Sequence, residues 1–143
     1  MTIEQLSVFL ENQPGKLVEA LEILAQEQID LRALSIADTS DFGILRLIVD
    51  KPIYAFDVLV EAGFLVRSND VIAIEISDSP GGLASVVRIL AESGVNIEYA
   101  YAFVAHSHDN AYVIIRADNN DSAVKVLSTN GITMISAEAM YKM

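Results

Sequence analysis

The chain has 143 residues, 52% of them apolar, with a net charge of −11 and no cysteine. That apolar content supports a folded core, in one domain or two small ones. The composition excludes disulfides, thiolate metal sites and thiol nucleophiles, and an acidic surface repels both the phosphate backbone and anionic lipid, so neither nucleic acid nor membrane is an expected partner.

No apolar run approaches the ~18 residues of a membrane span. The N-terminus lacks the basic-then-apolar pattern of a signal peptide, and a cytoplasmic protein is expected. A small zwitterion feels little of the long-range negative field, because its own charges nearly cancel. Its recognition must come from local donors and acceptors.

Residues 3–10 alternate, with Leu6, Val8 and Leu10 on one side and Gln5, Ser7 and Phe9 on the other. Period two predicts a half-buried strand. After Pro14-Gly15, Leu17, Leu21 and Leu24 recur at helical spacing, opposite Glu19, Glu22 and Gln26. This predicts an amphipathic helix covering one face of a sheet. Residues 30–37 read as a second strand, Asp38-Thr39-Ser40-Asp41 as a turn, and residues 43–49 as a third strand. Pro52 opens a second helix, with Ala55, Val58, Leu59 and Ala62 on its apolar stripe and Gly63 as its C-cap. Residues 64–67 form a fourth strand, and Ser68-Asn69-Asp70 is the polar break expected to serve as a linker.

From Val71 the pattern starts again. Ile72, Ile74 and Ile76 alternate as Leu6, Val8 and Leu10 do. Pro80-Gly81 matches Pro14-Gly15, and Leu83, Ile89, Leu90 and Ala91 match Leu17, Ile23, Leu24 and Ala25 in register. Val95-Asn96-Ile97 matches Ile29-Asp30-Leu31. Further on, Ala117-Asp118 pairs with Val49-Asp50, Ala123 with Ala55, Leu127 with Leu59 and Gly131 with Gly63. An internal duplication explains this. It divides the chain into domains 1–69 and 70–143, each near the lower size limit for an independent core.

The order in each copy is strand, helix, strand, strand, helix, strand. This predicts an α+β fold of two tandem ferredoxin-like (βαββαβ) units, each a four-stranded, antiparallel-type sheet with two helices on one face. Arg46 and Arg116, with Tyr112 and Ile114, fall on the helix-free face. A partner sheet or subunit covers such a face, or solvent does.

Each copy places the same short stretch between its first strand and first helix: Asn12-Gln13-Pro14-Gly15-Lys16-Leu17 and Asp78-Ser79-Pro80-Gly81-Gly82-Leu83. Pro suits the first turn of a helix, Asn and Asp suit its N-cap, and Gly lets another group approach the backbone. Free N–H groups and the helix dipole at such an end suit a small carboxylate. An ordinary capped helix start is the competing reading of one copy alone; two copies in matching contexts favour the ligand reading.

These turns, together with Gly94-Val95-Asn96-Ile97 entering the second strand, resemble the ACT domain family, small ferredoxin-like modules that bind amino acids and regulate metabolic enzymes. The resemblance covers nearly the whole chain as two tandem copies, and the second copy is the better match. The first has Gln28-Ile29-Asp30-Leu31, which departs at the Gly and places Asp where the motif has Asn. In the family the effector lies at an interface between two modules. The resemblance therefore implies that Asn12, Gln13, Gly15, Lys16 and Leu17 line one site and that Asp78, Ser79, Gly81, Gly82 and Leu83 line the other. Asp30 and Leu31, with Asn96 and Ile97, face them from strand two. Gly82, standing where the first copy has Lys16, is expected to open room for ligand.

Other chemistry is weakly signalled. His106-x-His108-Asp109 has metal-ligand types but no third and fourth ligand nearby in sequence, and exposed turn histidines are the better reading. Tyr99, Tyr101 and Phe103 on one strand face read as packing rather than a base-stacking platform, given the acidic charge. No G-x-S-x-G elbow, Walker or dinucleotide fingerprint occurs. No catalytic residue, metal or cofactor is expected. The expectation is a stand-alone regulatory protein that binds a free amino acid, acts on a separate metabolic enzyme and forms a homodimer through edge strands. The alternative is a ligand-free assembly subunit of such an enzyme.

Overall fold

The computed structural model describes residues 1–38, 41–103 and 109–143. Among them it has seven strands and five helices in an α+β arrangement with antiparallel pairing. The chain divides into two compact units, Glu4–Asn69 and Met1–Ile3 with Asp70–Met143.

The first unit is built from β1 (Ile3–Glu11), α1 (Lys16–Gln26), β2 (Leu31–Asp38), β3 (Phe42–Val49), α2 (Pro52–Glu61) and the opening residues of β4 (Leu65–Ser77). Its strand order is β2-β3-β1-β4. β3 is antiparallel to both β1 and β2, so β1 and β2 run in the same direction. The alternation in β1 works as expected: Leu6, Val8 and Leu10 join Leu45 and Leu47 in a core closed by Ala20 and Leu24 of α1 and Ala55 and Leu59 of α2. Burying one such leucine contributes about 1.5–3 kcal/mol.

The second unit repeats the plan with the rest of β4, α3 (Gly82–Glu92), β5 (Ile97–Phe103), β6 (Asn110–Ala117), α4 (Asn120–Thr129), β7 (Thr133–Ile135) and α5 (Ala137–Tyr141). β4 pairs with β6 and β7, and β5 pairs with β6. Ile72, Ile74, Val113 and Ile115 pack against Val86, Leu90, Ala123 and Leu127.

The four longer helices end alike. A residue with positive φ follows each, Gln28 (58°), Gly63 (95°), Gly94 (77°) and Gly131 (71°). The next residue, always apolar, donates its N–H to a buried leucine carbonyl five positions back: Ile29 to Leu24 (3.0 Å), Phe64 to Leu59 (3.1 Å), Val95 to Leu90 (3.0 Å) and Ile132 to Leu127 (3.0 Å). This is the Schellman arrangement, which satisfies terminal carbonyls while turning an apolar side chain back onto the helix. One leucine per helix thus anchors the core and terminates the helix.

Two sequence expectations, the linker and the strand count, are corrected. Residues 68–70 are not a linker; they lie inside the 13-residue strand β4. Their polar groups are paired there: Ser68 Oγ donates to Glu4 (2.7 Å), Asn69 Oδ1 accepts from Ser7 Oγ (2.9 Å), and the Asp70 carbonyl accepts from Arg116 Nη1 (3.0 Å) and Asn120 Nδ2 (2.8 Å). Seven strands therefore appear where two separate repeats of four require eight. The helix α5 was not expected; Ser136 caps it by accepting from the Ala139 N–H (3.1 Å), and Met140 is buried. The faces turned away from the helices are buried at their centres, at Gln5, Ile48, Tyr112 and Ile114, as the covered reading of those faces expects.

Candidate functional site

Both Pro-Gly turns start a helix from a left-handed glycine. Gly15 (φ 91°) and Gly81 (φ 88°) are the N-cap residues of α1 and α3, and neither helix has a side-chain cap. Asn12 and Asp78 are thus not the caps their residue types suggest, and Pro14 and Pro80 precede the helices instead of occupying their first turns. The turns close on their own backbone. The Lys16 N–H donates to Gln13 O (3.4 Å) and the Gly82 N–H to Ser79 O (3.0 Å). The Glu19 N–H donates to Gly15 O and the Ser85 N–H to Gly81 O, each at 3.0 Å. Glycine is needed at 15 and 81 for conformation, since a Cβ there meets nothing within 4 Å but φ lies in the left-handed region. The uncapped first turns leave amides and the positive end of the helix dipole facing outward.

The residue after that glycine separates the turns. Gly82 does not open room for a ligand: a Cβ built there would collide with the Ser77 carbonyl oxygen, so the absent side chain is the space that β4 uses. At the matching position, Lys16 carries a full side chain, paired with Glu19 at 3.7 Å.

Around the first turn, Asn12, Gln13, Lys16 and Leu17 come together in a cavity of about 230 Å³ that also takes in Ile36, Asp38 and Phe42. Asn12 and Gln13 also border an opening shared with Asp41 and Phe42. Around the second turn, Ser79, Gly81 and Gly82 line a cavity of about 480 Å³ with Glu75, Ser77, Ser85 and Thr133. Asp78 and Leu83 are exposed and lie outside that lining; the Asp78 N–H donates to Asp109 O (3.1 Å).

Asp30, Leu31, Asn96 and Ile97 lie elsewhere. Across β3, Leu31 sits opposite Val49 whereas Glu11 sits opposite Phe42. At ~3.3 Å per residue, the start of β2 is about 23 Å from the turn of its own unit. Ile97 opposite Ala117 and Ser77 opposite Asn110 repeat this separation. A reciprocal clasp holds each start of strand. The Asp30 N–H donates to Asp50 Oδ1 (2.9 Å) while the Asp50 N–H donates to Asp30 O (3.1 Å). The Asn96 N–H donates to Asp118 Oδ1 (3.2 Å) while the Asp118 N–H donates to Asn96 O (2.9 Å). The Asp30 carboxylate pairs with Arg32 at 3.2 Å, whereas the Asn96 side chain is exposed.

His106 and His108 lie outside the described residues, and among those described no group of acidic and histidine side chains could hold a metal ion. Tyr99, Tyr101 and Phe103 share a face with Tyr112 and Arg116 and are half-buried, with the Phe103 and Tyr112 rings 5.4 Å apart and Arg116 paired to Glu98 at 3.5 Å. No described helix is long and apolar enough to cross a membrane. Sequence reasoning missed Ile36, Asp38 and Phe42 beside the first turn. Their signal was topological: a second strand parallel to the first delivers its last residues to the same end of the sheet.

The family model described as an ACT domain pair matches residues 1–143. No curated protein matches the chain. Among solved structures, the chain is similar to protein BT0572 from Bacteroides thetaiotaomicron, with 43% identity, a TM-score of 0.94, and coverage of 100% of this chain and 98% of that one. It shares its fold with the regulatory subunit of aspartate kinase from Thermus thermophilus, in its ligand-free form, at 21% identity and a TM-score of 0.64, covering 88% of this chain and 91% of that one. The same subunit from Thermus flavus gives 20% identity, a TM-score of 0.60, and coverage of 88% and 90%.

Proposed function

The chain belongs to the ACT domain family as a domain pair, and from that premise we propose that it is a non-catalytic regulatory protein that binds a free amino acid and passes occupancy to a separate metabolic enzyme. In this reading residues 1–69 and 70–143 are two tandem ferredoxin-like ACT domains, the protein is cytoplasmic, and it works as a homodimer. The observation that carries the reading is the duplicated turn: a left-handed glycine opening an uncapped helix at matching positions in both units, each with a cavity beside it.

The ligand carboxylate rests on the amides following Gly15 and on those of residues 81–83, where the helix dipole adds to the hydrogen bonds. Asn12 or Asp78 accepts from the α-ammonium group, and Gln13, Lys16, Leu17 and Ser79 complete the two linings. Asn96 can donate and accept. Being about 23 Å from its own turn, it serves a ligand held by a different turn, as do Ile97, Asp30 and Leu31. Binding changes the partner enzyme only if the ligand favours one of two arrangements.

A thermal-shift screen of the purified chain against the free amino acids tests this. One or a few should raise the melting temperature; a ligand at a hundredfold excess over its Kd stabilises by about 2.7 kcal/mol. A flat screen, together with tight association to a large enzyme subunit, would instead identify an assembly subunit that takes no ligand.

A further inference from the structure

The cavity beside the first turn carries both apolar and charged side chains. Ile36 and Phe42 reach it from β2 and β3, and both are large apolar side chains left about half exposed, at 49% and 48%. Leu17 adds a partly buried apolar wall. The same cavity holds one cation, Lys16, and two carboxylates, Glu11 and Asp38. Its volume of about 230 Å³ is below the ~300 Å³ at which drug-sized ligand sites begin, so its occupant is a small metabolite.

The duplication provides an internal control. Ile36 sits across from Leu45 in one unit, and Ala102 sits across from Val113 at the matching place in the other. Leu34, opposite Leu47, likewise corresponds to Ala100, opposite Ile115. Phe42, opposite Glu11, corresponds to Asn110, opposite Ser77. Large apolar side chains at these places on β2 and β3 are therefore particular to the first unit.

We infer that the first turn selects an amino acid with a large apolar side chain, gripped by Ile36, Phe42 and Leu17, with Lys16 toward its carboxylate and Asp38 accepting from its ammonium group. This rests on the reading of the turn as a zwitterion site and adds the ligand's class and three residues, Ile36, Asp38 and Phe42. An apolar pocket separates side chains differing by one methylene about tenfold or more, and leucine exceeds alanine by three carbons.

Isothermal titration of the full chain with leucine, alanine, serine and aspartate tests it. Leucine should bind at least about tenfold more tightly than alanine. Ile36→Ala and Phe42→Ala should each weaken leucine about tenfold while leaving alanine and the melting temperature nearly unchanged. Asp38→Asn should weaken leucine and alanine alike. If serine or aspartate binds most tightly and neither Ile36→Ala nor Phe42→Ala affects it, the apolar assignment fails while amino-acid sensing stands. If no amino acid binds and Ile36→Ala changes only self-association, both readings fall and the apolar wall is a contact between copies.

Discussion

Gly15 and Gly81 start their helices with φ of 91° and 88°, yet the residues that follow are lysine in one turn and glycine in the other. The backbone plan has stayed fixed in both halves while the side chains around it have diverged. In the first half the turn stands clear of its strand, tolerates Lys16 and borders an apolar wall. In the second half β4 comes close enough for the Ser77 carbonyl to occupy the space of a Cβ at 82, and Ser77, Ser79 and Ser85 join Ile76, Val86 and Ile132 around the turn. Duplicated geometry therefore does not mean duplicated chemistry.

The largest expected difference between the halves lies at that pair. Gly82→Ala forces a methyl group against backbone that cannot swing away, and overpacking of this kind costs about 1–3 kcal/mol. Lys16→Ala should stay within about 0.5 kcal/mol, as for exposed surface sites. Urea unfolding of both variants checks this, and equal losses would show that the turns are packed alike. The helix ends come next. Gly94→Ala places a side chain in the left-handed region at a cost of about 1–2 kcal/mol. Gln28→Gly removes that strain at the matching position and should gain about 0.5–1 kcal/mol, part of the relief being offset by the freer unfolded chain.

A smaller contrast separates α2 from α4. Asn119 caps α4 by accepting from the Ser122 N–H (3.1 Å), whereas Lys51 precedes α2 with no side-chain cap and Pro52 at its start. Asn119→Ala should cost about 1 kcal/mol and Lys51→Ala little, read by the same unfolding curves. The smallest effect is at the alkaline end. Tyr54 donates to the Glu27 carboxylate, and that hydrogen bond, with some burial and the charges of Glu27 and Glu61, raises the phenol above its usual 10.0. A raised pKa means the folded state favours the proton. The contribution is complete below the unfolded value and disappears as pH climbs through the folded one. The stability gap between wild type and Tyr54→Phe should therefore narrow in strong alkali; a constant gap would detach the hydroxyl from any role in folding.

Much of this was legible from residues alone, and the misses share a cause. Alternation at Leu6, Val8 and Leu10, helical spacing at Leu17, Leu21 and Leu24, and glycines after the helices each report a local preference that tertiary structure left alone. Gln28 hid the first helix stop because a non-glycine in the left-handed region has no sequence mark. Ser68, Asn69 and Asp70 read as a break because their partners, Glu4, Ser7, Arg116 and Asn120, are distant in sequence. Gly82 read as open space because the crowding comes from backbone, which leaves no trace in residue identity. The turns themselves were evident; Ile36, Asp38 and Phe42 required the direction of β2 to be followed to its end.

The unbroken strand from Leu65 to Ser77 has a practical consequence for handling the protein. Proteases cut at exposed loop tips, and the midpoint of this sequence provides none, so limited digestion should not release two halves. A gene severed after codon 69 would yield fragments whose raw ends fall within a hydrogen-bonded ladder, and neither piece should be as sturdy alone as it is within the intact polypeptide.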